Sequence, residues 1–285
     1  MTIATRTLSA NGLTFTADCA GEGDSVALLL HGFPESRASW RAQLPALAEL
    51  GWRAVAPDLR GYGDSARPKG NAAYRIERLA EDVAALFGAL GARRRILIGH
   101  DWGGVIAWQA ALTGQPLDGL IILNAPHPAR FRQVLRTWDQ RRRSWYIAFF
   151  LLPLLPEWLL TRDEGGALVR DLKRQCPRMP DDALEALRRN LLAPGAATAM
   201  LAYYRANALR LNRAAPGAAI LECPTLLLWG EDDPYLSPAL AESNGRFVRD
   251  LTVRRLPGVS HWAQQDAPAE VNRLIAEWAR ARGLA

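Results

Sequence analysis

The feature that most constrains this chain is a recurrence of short, largely apolar runs bounded by glycine and proline. They lie at Val26 to Leu30, Arg53 to Ala56, Ile96 to Ile98, Leu120 to Leu123, Thr225 to Trp229 and Leu251 to Leu256. A run of this kind, too short for a helix and without polar alternation, reads as a strand buried on both faces. Helical patterns separate most of them, at Ile76 to Leu90, Gly103 to Leu112 and Pro268 to Arg282. Strand and helix in alternation predict an α/β fold, a mostly parallel sheet flanked by helices. Ahead of this region, two extended runs flank Asn11-Gly12, a dipeptide that favours a tight hairpin turn.

The alternation stops between Pro128 and Pro216. That stretch is rich in Arg, Leu, Trp and Pro, has helical segments at Asp182 to Leu192 and Ala196 to Leu211, and contains no convincing strand. We therefore expect a core of residues 1–127 and 217–285 with a helical cap, 128–216, inserted between two strands. An insertion whose ends both emerge at the carboxyl edge of the sheet lies where ligands bind in open α/β folds, so the cap is expected to act as a lid.

Size and composition narrow the function. A chain of 285 residues, 49% hydrophobic and 22% charged, is near the upper limit for one core and too apolar for disorder. Its formal charge of +6 comes almost entirely from arginine, Lys69 and Lys173 being the only lysines. The arginines are scattered among acids, which argues against nucleic acid; the run Arg141 to Arg143 reads as a solvated helix face. Cys19, Cys176 and Cys223 have neither metal-ligand spacing nor an even count, which fits a reducing cytoplasm. The N-terminus has no signal-peptide pattern. The longest apolar stretch, Trp145 to Leu155, is broken at Pro153 and is too short to span a bilayer, so it is expected to line a cavity, with contact to a bilayer surface as the alternative. No phosphate loop or dinucleotide fingerprint appears and no histidines pair at ligand spacing, so neither cofactor nor metal is expected.

The most specific local signal is Gly99-His100-Asp101-Trp102-Gly103-Gly104, which follows an apolar strand and opens a helix. Small residues there permit a sharp strand-to-helix turn that pushes the middle side chain outward beside helix N-terminal amides, as a nucleophile requires. The alternative use of Asp101 is to cap the helix. At the end of the first long strand, His31-Gly32-Phe33-Pro34 can aim the Phe33 amide toward the elbow, where Trp102 offers a second amide; two converging N–H groups make an oxyanion hole. Gly230-Glu231-Asp232-Asp233 and Gly258-Val259-Ser260-His261-Trp262 each close a late strand. An acid followed by a histidine completes a triad order of nucleophile, acid, histidine. Asp233 fits the spacing, with Asp232 as the alternative. His31, His100 and His127 are expected to hold their turns, and Asp58 and Asp64 to be structural.

Several stretches together resemble the epoxide hydrolase branch of the α/β-hydrolase family over nearly the whole chain. They are His31-Gly-Phe-Pro-Glu-Ser, Asp58-Leu-Arg-Gly-Tyr-Gly-Asp-Ser, Gly99-His-Asp-Trp-Gly-Gly, Asn124-Ala-Pro-His-Pro, Ser144-Trp-Tyr-Ile-Ala-Phe-Phe and Gly258-Val-Ser-His-Trp. The resemblance implies that two lid tyrosines, Tyr146 and Tyr204, hold the epoxide oxygen, and that the Phe33-Pro34 bond is cis. Tyr203, next to Tyr204, competes for that place, because neighbours on a helix point about 100° apart; Phe33, Trp102 and Tyr203 are the expected substrate contacts. The implied reaction converts a small hydrophobic epoxide and water to a vicinal diol through an aspartyl ester. Two alternatives accompany it: a haloalkane dehalogenase, a class that shares the Asp and the following Trp but favours Asn where this chain has Phe33, and a hydrolase-fold binding protein without activity. Oligomeric state, including a homodimer, is left open.

Overall fold

The computed structural model describes residues 2–208 and 220–285. Eight strands form one sheet: β1 (Ala4–Ala10), β2 (Leu13–Ala20), β3 (Ser25–Leu30), β4 (Arg53–Pro57), β5 (Arg94–His100), β6 (Gly119–Leu123), β7 (Thr225–Gly230) and β8 (Leu251–Leu256), in the order β1-β2-β4-β3-β5-β6-β7-β8. β1 and β2 are an antiparallel hairpin whose turn uses Asn11 and Gly12 at φ of 49° and 69°, as a two-residue hairpin loop demands. β2 runs antiparallel to β4, and every pairing from β4 through β8 is parallel.

Successive strand residues point to opposite faces, and both faces are covered. Leu28, Leu30, Leu97 and Ile122 pack against α2 (Ile76–Ala89) and α3 (Trp102–Leu112), whereas Ala27, Leu29, Ile98 and Ile121 pack against α1 (Gln43–Glu49) and the C-terminal helix. That is why the strands read as unbroken apolar runs. β8 departs from the expectation: as an edge strand it leaves Arg254 and Arg255 in solvent, charges that discourage further pairing.

Between β6 and β7 the chain is helical: α4 (Pro128–Val134), α5 (Trp138–Arg143), α6 (Trp145–Phe150), α7 (Leu155–Thr161), α8 (Gly166–Gln175), α9 (Asp181–Leu192) and α10 (Ala196–Asn207). α11 (Ala263–Asp266) and α12 (Pro268–Arg280) complete the fold after β8. The sequence signals for α9 and α10 agree with these bounds to within a residue where the chain is described. The expected continuation of the α10 signal to Leu211 and the expected junction at 216–217 lie outside the described residues. The helical block has a small core of its own, in which Leu172, Met179, Ala183 and Leu187 close over Trp262 from the sheet side. Polar ties fix it there: Asn190 donates to the Glu35 carbonyl at 2.8 Å, Arg143 to the Asp233 carbonyl at 2.7 Å, and Asn207 accepts from the Ile76 amide at 2.8 Å. Among the described residues no helix is long and apolar enough to cross a membrane.

Candidate active site

Asp101 is the single residue between β5 and α3, at φ 49° and ψ −120°, a backbone conformation that L-residues adopt only under constraint. The constraint is close packing through glycine. A Cβ on Gly103 would lie 2.1 Å from the Leu30 carbonyl oxygen, and one on Gly104 would lie 2.3 Å from the Ala125 Cβ. The Asp101 side chain makes no capping bond to α3. Instead Oδ1 accepts from the Phe33 amide at 2.7 Å, and Oδ2 lies 3.7 Å from His261 Nε2. The Phe33-Pro34 bond is cis, as the resemblance implies.

His261 donates through Nδ1 to Asp233 Oδ2 at 2.6 Å. Asp233 is saturated by three further donors: the Tyr235 and Leu236 amides on Oδ1, at 2.8 and 2.9 Å, and Asn124 Nδ2 on Oδ2 at 2.8 Å. Asp232, one residue earlier, is exposed and uses its amide on the Val259 carbonyl, so it faces away from the imidazole. Burial alone would lower the His261 pKa. The Asp233 charge, the hydrogen bond toward Asp101 and that with Asp233 outweigh it and push the pKa up to about 10. Burial would likewise raise Asp101, but the hydrogen bond and charge of His261 hold its carboxyl below the ordinary range. Both shifts favour an imidazolium on His261 beside an ionised Asp101.

Two lobes of an apolar cavity meet at Asp101. One, of about 380 Å³, is lined by Phe33, Phe149, Phe150, Leu168 and Trp262 together with His261, and the other, of about 70 Å³, by Trp102, Val105, Pro126 and Ile147. Tyr146 and Tyr204 border both lobes, their ring centroids 6.1 Å apart at 80°. Burial, then the neighbouring charges and rings, keep both phenols well above their ordinary pKa, Asp101 being among the causes for each. They stay protonated throughout the physiological range.

Tyr203 does not share this position, which corrects its expected substrate contact. It points the other way around α10, donates to the Arg60 carbonyl at 2.8 Å and packs on Tyr62 and Tyr74. Of the remaining histidines, His31 accepts from the Leu59 amide, and His127 accepts from the Ala129 amide at the start of α4. His100 sits beneath the elbow between Glu35 and the His261 carbonyl, each at 3.0 Å. Asp58 binds Arg37.

Sequence reasoning assigned no role to Asn124 or Tyr235. Asn124 accepts from the Gly230 amide at 2.8 Å, and so links the end of β6 to β7 as well as to Asp233. Its signal was a polar residue closing an apolar run. Tyr235 stacks edge-on against both Tyr146 and His261 and left no periodic mark, because it lies in a loop.

A half-buried carboxylate on an elbow, a histidine beside it and an acid behind that histidine form the arrangement of a hydrolase. The comparisons agree: residues 27–268 match the family model described as alpha/beta hydrolase fold, and the chain belongs to that family. Within it the chain falls among the epoxide hydrolases. It is 37% identical over 281 residues to epoxide hydrolase 3 of Xenopus tropicalis, covering 94% of this chain and 75% of that protein. It is 36% identical over 276 residues to AB hydrolase superfamily protein YfhM of Bacillus subtilis, covering 95% and 96%. The crystal structure of a Bacillus megaterium epoxide hydrolase in complex with an inhibitor superposes with a TM-score of 0.88 at 30% identity, covering 96% of this chain and all of that one.

Proposed function

We propose that this protein hydrolyses small hydrophobic epoxides to vicinal diols through a covalent ester on Asp101. The observation that carries the reading is that two protonated phenols, Tyr146 and Tyr204, border the same apolar cavity as an ionised Asp101.

Opening an epoxide is displacement at saturated carbon, and Asp101 is already ionised, so no base need first deprotonate it. One Asp101 oxygen bonds to a ring carbon while that carbon's bond to the ring oxygen breaks. The departing oxygen would be an alkoxide in an apolar cavity, and the tyrosine hydroxyls supply its hydrogen bonds and proton. Esterification then removes the Asp101 charge. That charge is one of the two holding His261 protonated, so its loss lowers the imidazole pKa; the proton His261 gives up passes through solvent to restore the phenol that protonated the alkoxide, and the neutral imidazole is then the base for the second step. Water deprotonated by His261 attacks the Asp101 carbonyl carbon. Asp233 stabilises the imidazolium, the Phe33 and Trp102 amides receive the developing oxyanion, and collapse releases the diol.

A halide leaves as a stable anion and needs N–H donors rather than acids. Position 33 offers a phenyl ring there and no side-chain amide. The test uses two variants. His261→Gln mixed with an alkyl epoxide should accumulate an adduct of substrate mass on the intact protein. Tyr146→Phe/Tyr204→Phe should lose epoxide turnover, while any turnover of a matched bromoalkane survives. No adduct, or a double variant that opens epoxides at the wild-type rate, overturns the reading.

A further inference from the structure

The apolar stretch Trp145 to Leu155 only half meets its expected role. Tyr146, Phe149 and Phe150 face the cavity, but Leu151, Leu152, Leu154 and Leu155 are 40–79% exposed, with Trp145 at 67% and Trp158 at 57% beside them. Of the ten large hydrophobic side chains exposed among the described residues, seven lie between Trp138 and Trp158. Such concentration is unusual for a solvated surface and marks an interaction site. The connection from α6 to α7 that carries the leucines is held in place: Arg205 donates to the Phe150 carbonyl at 3.1 Å, to the Leu152 carbonyl, and to Glu157.

Charge decides what covers it. Residues 130–162 contain seven arginines (130, 132, 136, 141, 142, 143 and 162) against two acids, Asp139 and Glu157. Arg205 neutralises Glu157 and Arg143 pairs with Asp139. Arg136, Arg141, Arg142 and Arg162 are exposed and make no ion pair among the described residues, Arg162 lying 5.2 Å over the Trp158 ring. A second copy would bring two such basic surfaces face to face in an isologous dimer, which like charge disfavours. Exposed leucine and tryptophan tips in a segment with an excess of arginine, one of them over Trp158, suit an anionic lipid surface, where the apolar groups enter the acyl boundary and the arginines meet headgroup phosphates.

We propose that the α6–α7 edge of the cap docks on anionic lipid bilayers, so that the larger lobe, whose wall includes Trp145, receives apolar substrate directly from the membrane. The nature of that substrate rests on the proposed epoxide chemistry. The docking does not, and it is measured with no substrate present.

The experiment is co-sedimentation of the full chain with vesicles of phosphatidylglycerol and phosphatidylcholine in equal parts, and with phosphatidylcholine alone. Wild type should partition onto the anionic vesicles and be released by salt. Leu152→Ser/Leu154→Ser should weaken partition by roughly tenfold or more, the scale of withdrawing a leucine from an apolar phase. Arg136→Gln/Arg142→Gln should weaken it by about fivefold per charge. Both variants should keep wild-type turnover of a short, water-soluble epoxide and lose rate only on a long-chain epoxide dissolved in the vesicles. If wild type does not bind at low salt, or the variants bind as well as it does, the docking is wrong. A wild-type dimer by light scattering that Leu152→Ser/Leu154→Ser makes monomeric would assign the patch to a second copy and overturn it equally.

Discussion

Alanine at position 32 tests whether the placement of Asp101 depends on a residue that contributes no side chain. A Cβ built on Gly32 would lie 2.4 Å from the Asp101 Cβ and 2.5 Å from its Oδ1, where ordinary contact begins at 3.4 Å. Something must give by about 1 Å, and what it meets first is the Asp101 Cβ, which moves only with the elbow backbone, with the more mobile carboxyl just beyond it. The nucleophile yields, and the 2.7 Å hydrogen bond from the Phe33 amide goes with it. A misplacement of ~1 Å at the reacting atom costs on the order of 10²-fold in rate. Gly32→Ala should therefore lose about that factor in the single-turnover rate of ester formation, followed by quenched-flow mass measurement, together with some thermal stability, because the elbow backbone shifts with the Asp101 Cβ. Gly103→Ala is the contrast. Its Cβ would strike the Leu30 carbonyl at 2.1 Å, backbone that cannot move alone, so that variant should lose the fold itself. If Gly32→Ala forms the ester within about threefold of the wild-type rate, the argument that glycine clearance sets the position of Asp101 is refuted.

Asn124→Ala leaves Asp233 one donor short and the Gly230 amide without its acceptor; melting should show a loss of about 1–3 kcal/mol, the usual cost of an unsatisfied buried group, and a lowered rate of ester hydrolysis. The His261 pKa, raised from 6.5 to about 10, means that the folded protein holds a proton that the unfolded chain releases between those values. The stability this gives is complete below pH 6.5 and is lost as pH rises through about 10, so the wild-type melting temperature should fall across that window and His261→Gln should flatten the fall. Single Tyr146→Phe and Tyr204→Phe variants should each keep measurable epoxide turnover with a loss on the order of 10²-fold, since the remaining phenol still meets the alkoxide. KM for straight-chain alkyl epoxides should fall as the chain lengthens into the apolar lobe at ~25 cal/mol per Å² removed from water; a flat series would mean the chain stays outside.

The sequence by itself determined the sheet and the order of its chemistry. Strands buried on both faces have no polar face to alternate, so each appears as an apolar run, and each is followed by a turn whose glycines and acids stand out against it. Gly99 to Gly104, Asp233 and His261 are legible for that reason. Local pattern did not determine which of two neighbours faces the site, because that depends on partners distant in the chain. Spacing favours Asp233 over Asp232 but leaves both open until the Tyr235 and Leu236 amides, Asn124 and His261 converge on Asp233. Tyr203 and Tyr204 look alike until Arg60 takes the hydroxyl of one. The apolar run from Trp145 to Leu155 read as cavity lining, with a bilayer surface as the alternative, and local pattern could not divide it between the two; α6 is under two turns long and its continuation into α7 carries four leucines outward. Hydrophobicity along a chain records only that a residue is apolar. Whether it meets the core, a cavity or solvent is decided by the rotation of a helix against its neighbours, and that is a property of the packed structure.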